Sequence, residues 1–486
     1  MPNTGDAMEL IVITRPKTNA ASRGAVLLAA AVALGGCALE TARPASGITP
    51  PAEFVMAGAG GPRSDDPAWW RGFGAPTLDR LMGQSMAANQ DIAIAVARLR
   101  QADAFTRITG AGLLPLVDAD GSVQRSRSTN RNLGSSGQAG NAFGASLSAS
   151  WEIDFWGRLQ SRLESARSNA LANAYNIGAV TLSTQSSVAN GYFAYLGATA
   201  RLAIQRENLR AAENILVILR QRLEAGTATG LDVAQQEVVV AQQRASAPPL
   251  QQSAEQNSFA LATLSGGLPA LLTPEDPPLR ALRVPTVVPG LPSELLLRRP
   301  DVRLAEASLV ASNFDVTAAR AALFPRITLT GSGGIQSLAL ETLLRPGSVL
   351  YNLAAGVTQP IFDGGALRAQ VEQARGLQEE NLASYRRSIL AALEDTETSL
   401  SALRRTSELV VLQEAREAAA RRAFEIADAQ LRAGTIDLLT VLNTQTTLFS
   451  ARDALALAVT QRLQAAASLF TALGGGWTMP EGRITR

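Results

Sequence analysis

Histidine is absent from this chain of 486 residues, and Cys37 is its only cysteine. Histidine is the usual proton carrier near neutral pH, and most zinc sites are built from histidine and cysteine. The composition therefore excludes His-based acid–base catalysis, Ser-His-Asp and Cys-His nucleophiles, and almost every zinc site. No pocket-like cluster of carboxylates stands out in their place, so we expect no catalytic residue, no bound metal and no enzyme.

Charge and aromatic residues are also scarce. The formal net charge is +2, and phenylalanine, tryptophan and tyrosine make up 5% of the chain. The basic residues are spread along the sequence rather than clustered, which argues against a nucleic-acid partner. Abundant alanine and leucine with few aromatics favour extended helices packed through small side chains over one large globular core.

Proline is missing from two long stretches. All 23 prolines lie outside 116–247 and 361–479, so nothing interrupts a helix from Gly157 to Ala225 or from Ala366 to Ala433. At about 1.5 Å per residue, each of these helices would extend roughly 100 Å. Leucines recur within the first stretch with alanine between them, a pattern that predicts helix-on-helix packing along coiled-coil-like seams.

The chain repeats itself once. Asp91 and Pro115 of the first copy recur 210 residues later as Asp301 and Pro325. In each copy an alternating pair of segments is followed by one of the long proline-free stretches. A tandem repeat of one supersecondary unit is strong evidence about architecture.

Each long helix is expected to end at an Ala-Gly-Thr turn, centred on Gly226 in the first copy and on Gly434 in the second. Glycine suits the left-handed conformation that commonly follows the last turn of a helix. A shorter helix should then return from Leu231 in the first copy and from Leu438 in the second.

Apolar and polar residues alternate in two segments of each copy. Alternation with period two predicts a β-strand, and the Asn/Gly/Ser-rich loop from Ser128 to Ala142 predicts a hairpin with a long tip. About ten residues with one apolar and one polar face are typical of a strand in an outer-membrane barrel. The predicted strands are Val117–Arg127, Phe143–Phe155, Arg326–Ile335 and Tyr351–Ile361.

A water-soluble sheet with one wet face is the alternative, and it would be preferred for a single hairpin. Two duplicated hairpins, in a chain whose N-terminal segment up to Cys37 is typical of a lipoprotein signal, favour the membrane barrel. Four strands cannot close a barrel, and lipid does not tolerate open strand edges. Several chains must therefore contribute to one barrel, and three chains would supply twelve strands.

The N-terminus predicts export and lipidation. Basic residues precede an apolar run from Ala25 to Leu34, which is too short to span a bilayer and is typical of a signal peptide. The run ends in Leu-Gly-Gly before Cys37, which resembles the bacterial lipobox. We expect Cys37 to carry diacylglycerol and palmitate, with no other cofactor. Ala38 follows the cysteine, which implies delivery to the outer membrane. Translation starts at Met1 or Met8.

These patterns divide the chain into six expected parts. The ten prolines from Pro248 to Pro300 mark the connection between the copies. The parts are a signal peptide (1–36), a lipidated tether (37–75), a first repeat (76–247) with its hairpin at 117–155, a linker or equatorial region (248–300), a second repeat (301–473) with its hairpin at 326–361, and a C-terminal tail (474–486).

Several local motifs accompany this organisation. They are the lipobox at Cys37, Trp69-Trp70, Glu-Ile-Asp-Phe-Trp-Gly-Arg-Leu from Glu152, Leu-Pro-Ser-Glu-Leu-Leu-Leu-Arg-Arg-Pro-Asp from Leu291, Gln-Pro-Ile-Phe-Asp-Gly-Gly from Gln359, and the two Ala-Gly-Thr turns. In this order, over essentially all of the mature chain, they resemble the TolC-like outer-membrane efflux proteins, in the lipoprotein branch called NodT-type.

The resemblance implies a mainly α-helical fold with a membrane β-barrel. Three chains would form a twelve-stranded barrel in the outer membrane and an α-helical barrel that crosses the periplasm. Such ducts conduct small molecules out of the cell passively, together with a periplasmic adaptor protein and an RND-type inner-membrane pump. No P-loop motif is present to couple nucleotide hydrolysis within this chain.

The resemblance also implies roles for individual residues. The turns at Gly226 and Gly434 would contact the adaptor. The periplasmic gate would lie just after the second turn, where family members often carry aspartates. Asn443 and Thr440 occupy two gate positions here, and Asp437 lies one helical turn before Thr440. Asp437 is either a substitute gate carboxylate or a solvated residue of the turn.

Two other functions fit parts of the sequence. The same fold serves type I protein secretion, although the lipoprotein signal and the linker motif favour small-molecule efflux. A periplasmic coiled-coil scaffold lipoprotein without a pore would explain the helices and Cys37. It would not explain the duplicated alternating hairpins.

Overall fold

The computed structural model describes residues 44–56, 67–127, 139–287 and 289–477, so Cys37 lies outside the described residues. Short 3₁₀ turns lie at Trp69–Phe73, Leu279–Ala281, Leu340–Thr342 and Pro346–Ser348. The helices and strands are α1 Pro76–Ala88, α2 Gln90–Ala111, β1 Leu116–Arg127, β2 Ala139–Ile153, α3 Arg158–Glu224, α4 Gly230–Leu264, α5 Pro292–Arg298, α6 Pro300–Ala321, β3 Arg326–Ser337, β4 Val349–Thr358, α7 Ala366–Arg432 and α8 Leu438–Ala472.

The two copies match in the lengths of their helices. α3 and α7 each contain 67 residues without interruption, which confirms the two long helices. The returning helices α4 and α8 each contain 35 residues. α2 and α6, which precede the strands, contain 22 residues each. The duplication seen in the sequence is therefore a duplication of structure, element by element.

The first repeat does not end at the predicted boundary between residues 247 and 248. α4 continues through Pro248 and Pro249 to Leu264. An interior proline costs about 3 kcal/mol because it removes a helical hydrogen bond and clashes with the preceding turn. Packing beyond the prolines offsets that cost, since Leu261 is 1% exposed and the Ser258 hydroxyl donates to the Ala270 carbonyl at 2.8 Å.

The four strands form one antiparallel sheet in the order β1-β2-β3-β4. The two predicted hairpins are therefore joined edge to edge by pairing of β2 with β3. β2 begins four residues before the predicted Phe143, and β4 ends at Thr358 instead of Ile361. Pro360 explains the second difference, because proline has no N–H to extend the ladder.

The main core lies where the middle of α3 meets α8. Trp69 stacks on Phe470 with ring centroids 5.2 Å apart, and Phe73 packs on Phe193 at 4.9 Å. Trp69, Trp70 and Phe73 thus anchor this segment in the core, and the expectation that the tether extends to residue 75 is wrong. The reason is hydrophobic: each large side chain buried here stabilises the fold by about 1.5–3 kcal/mol.

Residues 44–56 lie along α7. Phe54 is buried among side chains of α5, α6 and α7, and the Glu397 carboxylate accepts the backbone N–H groups of Val55 and Met56 at 2.6 and 3.0 Å. The Arg386 guanidinium donates to the Ser46 carbonyl at 2.7 Å. This part of the expected tether is therefore docked on the helices.

Candidate functional site: the sheet faces, the helical tips and the gate positions

The sheet separates its side chains by polarity. Residues directly paired across an antiparallel ladder point to the same face. One row of partners is Val117, Ala149, Gly331 and Leu353, and the next row along the strands is Asp118, Ser148, Ser332 and Asn352. Odd-numbered positions carry the apolar face and even-numbered positions carry the polar face.

The register extends this separation across all four strands. Large apolar side chains on the odd face are Val117, Val123, Phe143, Leu147, Trp151, Ile153, Ile327, Leu329, Ile335, Val349, Tyr351, Leu353 and Val357. Tyr351 and Leu353 are 82% and 81% exposed within one chain, although burial of apolar surface is favourable. This apolar face therefore needs an apolar environment outside the chain. The membrane-strand prediction identified the same two faces.

Aromatic side chains lie where the sheet meets the helices. Trp156 stacks on Phe324 at 4.7 Å, and its indole N–H donates to the Pro325 carbonyl at 2.9 Å. The Trp151 indole donates to the Leu113 carbonyl at 2.9 Å. An apolar ring with a hydrogen-bonding edge suits the boundary between lipid and water.

An ion pair joins the end of β2 to the start of α3. Both Glu152 oxygens accept from the Arg158 guanidinium at 2.8 Å. The Asp154 carboxylate accepts the backbone N–H of Gln160 at 2.7 Å, which satisfies a donor in the first turn of α3. The predicted motif beginning at Glu152 thus fixes the direction in which the long helix leaves the sheet.

Each long helix ends at its Ala-Gly-Thr turn. Gly226 and Gly434 have φ of 71° and 73°, as a left-handed helix stop requires. The ends of the two long helices just before these turns are joined, because the Arg222 guanidinium of α3 donates to the Leu431 carbonyl of α7 at 3.1 Å. Each turn could be predicted from its own residues, but this hydrogen bond could not, since Arg222 and Leu431 are 209 positions apart.

Asp437 caps the N-terminus of α8. Its Oδ1 accepts the backbone N–H of Thr440 at 2.8 Å. Hydrogen bonds from the Thr440 side chain and backbone hold the pKa of the Asp437 carboxyl below its usual range, so the group is charged at neutral pH. The equivalent residue of the first copy, Thr229, caps α4 in the same way.

The gate positions differ in exposure. Asn443 is exposed on α8, and Thr440 is half-buried. Val441 and Leu442, between them in sequence, are buried against α3 and α7 in a small apolar cluster. The exposed side of α8 is thus the side that a second copy of the chain or an enclosed solvent space can reach.

The long helices also carry polar contacts between the copies. Arg201 of α3 and Asp453 of α8 form a two-point ion pair, with both N–O distances 2.8 Å.

Among the helices of the described residues, none combines the length and the apolar character that a membrane-spanning helix needs. Among the described residues, no group of three or more acidic or cysteine side chains is placed to hold a metal ion.

Known proteins resemble this chain over most of its length. A family model for outer membrane efflux proteins matches residues 81–267 and 291–475. The pyoverdine export outer membrane protein OpmQ of Pseudomonas aeruginosa is 42% identical to this chain over 460 residues, covering 93% of this chain and 96% of that protein. The cation efflux system protein CusC of Escherichia coli is 30% identical over 456 residues, covering 92% and 97%.

Solved structures agree over nearly the whole length. The outer-membrane channel OprN matches with a TM-score of 0.85 at 29% identity, over 90% of this chain and 99% of that one. A structure of CusC matches with a TM-score of 0.80 at 28% identity, over 90% and 99%. The chain thus shares its overall fold with these outer-membrane channels.

Proposed function

The chain belongs to the outer membrane efflux protein family, and on that premise we propose that three copies of it form the exit duct of a tripartite efflux pump. It is an outer-membrane efflux channel protein with the TolC-like fold, extending from the outer membrane into the periplasm. We propose that the duct conducts small molecules passively and catalyses no reaction.

The sheet carries the proposal of a trimer. Within one chain β1 and β4 each pair on one side only, so each leaves a row of N–H and C=O groups unpaired. An unpaired backbone group costs several kcal/mol in lipid, where no water can bind it. Pairing of β4 with β1 of the next copy removes these edges, and three copies close a twelve-stranded barrel.

The remaining parts of the assembly follow from the same architecture. We propose that the turns at Gly226 and Gly434 contact a periplasmic adaptor, which connects the duct to an RND-type inner-membrane pump. We propose that a diacylglycerol and palmitate on Cys37 add a second attachment to the outer membrane. The relative named as a pyoverdine exporter supports an exported small molecule as cargo, in preference to a secreted protein.

Native mass spectrometry and bilayer conductance test the duct together. Protein extracted in mild detergent is expected to have the mass of three chains and to insert into planar bilayers as discrete conducting units. The reason is that only a closed barrel satisfies the edges of β1 and β4. A stable monomer in detergent that inserts without conducting would contradict the proposal and favour a scaffold protein.

The gate can be tested at Asn443. In our proposal three Asn443 side chains close the periplasmic end through neutral hydrogen bonds, since each amide both donates and accepts. Multivalent cations should therefore block the unmodified channel weakly from the periplasmic side. Asn443→Asp should lower the blocking concentration by about tenfold, because three carboxylates in one ring attract cations. Higher salt should weaken this block by screening.

Asp437→Asn is the matched control for this measurement, since asparagine is as good a helix cap as aspartate. Strong multivalent block in the unmodified protein that disappears in Asp437→Asn would show that Asp437 supplies the ring. The assignment of Asn443 to the gate would then be wrong.

A further inference from the structure

The polar face of the sheet is rich in uncharged side chains that can form hydrogen bonds. Nine of the 24 even-numbered positions of the described strands carry a hydroxyl group, and Leu116 and Leu350 are the only large apolar side chains among the 24. The hydroxyl-bearing residues in the centre of this face are Ser146, Ser148, Ser150, Thr328, Thr330 and Ser332. Such a wall offers hydrogen bonds to a hydrophilic solute and little apolar surface to any other.

Two carboxylates stand on this face without a countercharge nearby. Asp118 pairs in register with Ser148, and Asp120 pairs with Ser146, so both point to the polar side of the sheet. In the part of the chain that the structure describes, neither carboxylate has a hydrogen bond or an ion pair. Each is therefore available to act on a solute in the lumen.

The other charges of the strands do not cancel these two. Glu152 is neutralised by Arg158 at the end of β2. Arg326 lies six residues along β3 from Ser332, the residue level with Asp118. Six residues of strand span about 20 Å, which is more than two Debye lengths at physiological salt. Arg125 and Arg127 are at odd-numbered positions of β1 and point to the opposite face.

The dimensions of the closed barrel make these carboxylates effective. Twelve strands spaced about 4.8 Å apart and tilted about 40° give a backbone radius of about 12 Å. Side chains reduce the open radius to about 8 Å, which equals the Debye length at physiological salt. The negative potential of the wall therefore extends to the axis of the pore, where it concentrates cations and excludes anions.

We propose that Asp118 and Asp120 determine which solutes leave the duct: hydrophilic molecules that are cationic or neutral pass, and anionic molecules are held back. The inference rests on the proposed trimer, in which the two residues form two rings of three carboxylates, about 7 Å apart along β1. It places the charge selection in the outer-membrane barrel, while neutral Asn443 and Thr440 occupy the gate positions.

Reversal potentials across a planar bilayer with a KCl gradient near 0.1 M test the proposal. The unmodified channel is expected to prefer K⁺ over Cl⁻ by about fivefold, and Asp118→Asn with Asp120→Asn should bring the ratio to about one, because the wall potential is lost. Asp118→Glu with Asp120→Glu should retain the preference. At 1 M salt, where the Debye length is about 3 Å, the preference should nearly vanish in all proteins.

A second double variant keeps the test decisive if the protein with Asp118→Asn and Asp120→Asn (the asparagine pair) fails to assemble. Ser146→Lys with Ser148→Lys adds cations opposite the two aspartates and should turn the channel from K⁺ preference towards Cl⁻ preference. The same changes in cation and anion preference are expected for tetramethylammonium and glutamate, which represent organic cargo of either charge.

Each outcome decides one question. A conducting trimer whose K⁺ preference is unchanged in the asparagine pair overturns the inference and leaves the duct intact. If Asp437→Asn abolishes the K⁺ preference and the replacement of Asp118 and Asp120 does not, charge selection lies at the helical tip. That result also overturns the inference. Protein that neither trimerises nor conducts contradicts the proposed duct itself, before selectivity can be measured.

Discussion

Replacing Leu147 by arginine is expected to destabilise the membrane-inserted protein by about 2–4 kcal/mol, whereas arginine at the adjacent Ser148 should be tolerated. Leu147 lies on the odd, apolar face of β2 and is level with Ala119. In the closed barrel that face meets hydrocarbon, where a guanidinium has no partner. Ser148 is level with Asp118 on the polar face, so an arginine there gains water and a carboxylate.

Urea titration of the protein folded into lipid vesicles measures both variants on one scale. Because the two positions are neighbours on one strand, strand propensity and depth in the membrane are nearly the same for both. The difference in unfolding free energy then reports only the face. Equal destabilisation by the two arginines would show that the faces are assigned wrongly, or that the sheet does not cross lipid.

Gly197→Ala is expected to lower the stability of the protein by about 1–3 kcal/mol, although the same change at Gly191 should raise it by about 0.5–1 kcal/mol. Both glycines lie in the interior of α3, where alanine is the better helix former. A Cβ at Gly191 would lie 3.5 Å from the nearest Leu261 atom, which is ordinary contact. A Cβ at Gly197 would lie 2.7 Å from Cγ2 of Thr460, closer than packed atoms tolerate.

The close approach at Gly197 lets α3 and α8 pack with their backbones near each other. The midpoint of thermal unfolding in detergent, followed by circular dichroism, should therefore fall for Gly197→Ala and rise for Gly191→Ala. Adding Thr460→Ala to Gly197→Ala removes the clashing methyl and hydroxyl groups and should restore most of the loss. If both single variants raised the midpoint, the contact between α3 and α8 would be looser than described.

Local rules explain why much of the architecture could be predicted. The absence of proline between 116 and 247 and between 361 and 479 allowed two uninterrupted helices, and α3 and α7 contain 67 residues each. The Ala-Gly-Thr turns needed a residue with positive φ, and Gly226 supplies it at 71°. Alternation of polarity identified the two faces of the sheet, because the side-chain period of a strand is two.

The same local rules misjudged segments whose state depends on distant residues. Pro248 and Pro249 predict the end of a helix, yet α4 continues beyond them because Leu261 packs into the core. Trp69 lies in a stretch rich in proline and glycine, yet it stacks on Phe470, about 400 residues further along the chain. In both cases burial of apolar surface outweighs a local preference of a few kcal/mol.

The sequence alone also left open which parts of the duplicated units meet. The pairing of β2 with β3, the hydrogen bond from Arg222 to Leu431 and the docking of Phe54 on α7 each join residues more than 170 positions apart. Such contacts depend on the free energy of packing whole faces against one another.

The sequence by itself thus determined the lengths of the long helices, their glycine stops and the two faces of the strands, because these follow from sterics and periodicity within a few residues. Only the tertiary structure decided that the two hairpins share one sheet and that a hydrogen bond joins the ends of the two long helices. It also decided that Asp118 and Asp120 stand level with the Ser148 and Ser146 hydroxyls. Cross-strand register is a property of two segments together, and no single segment encodes it.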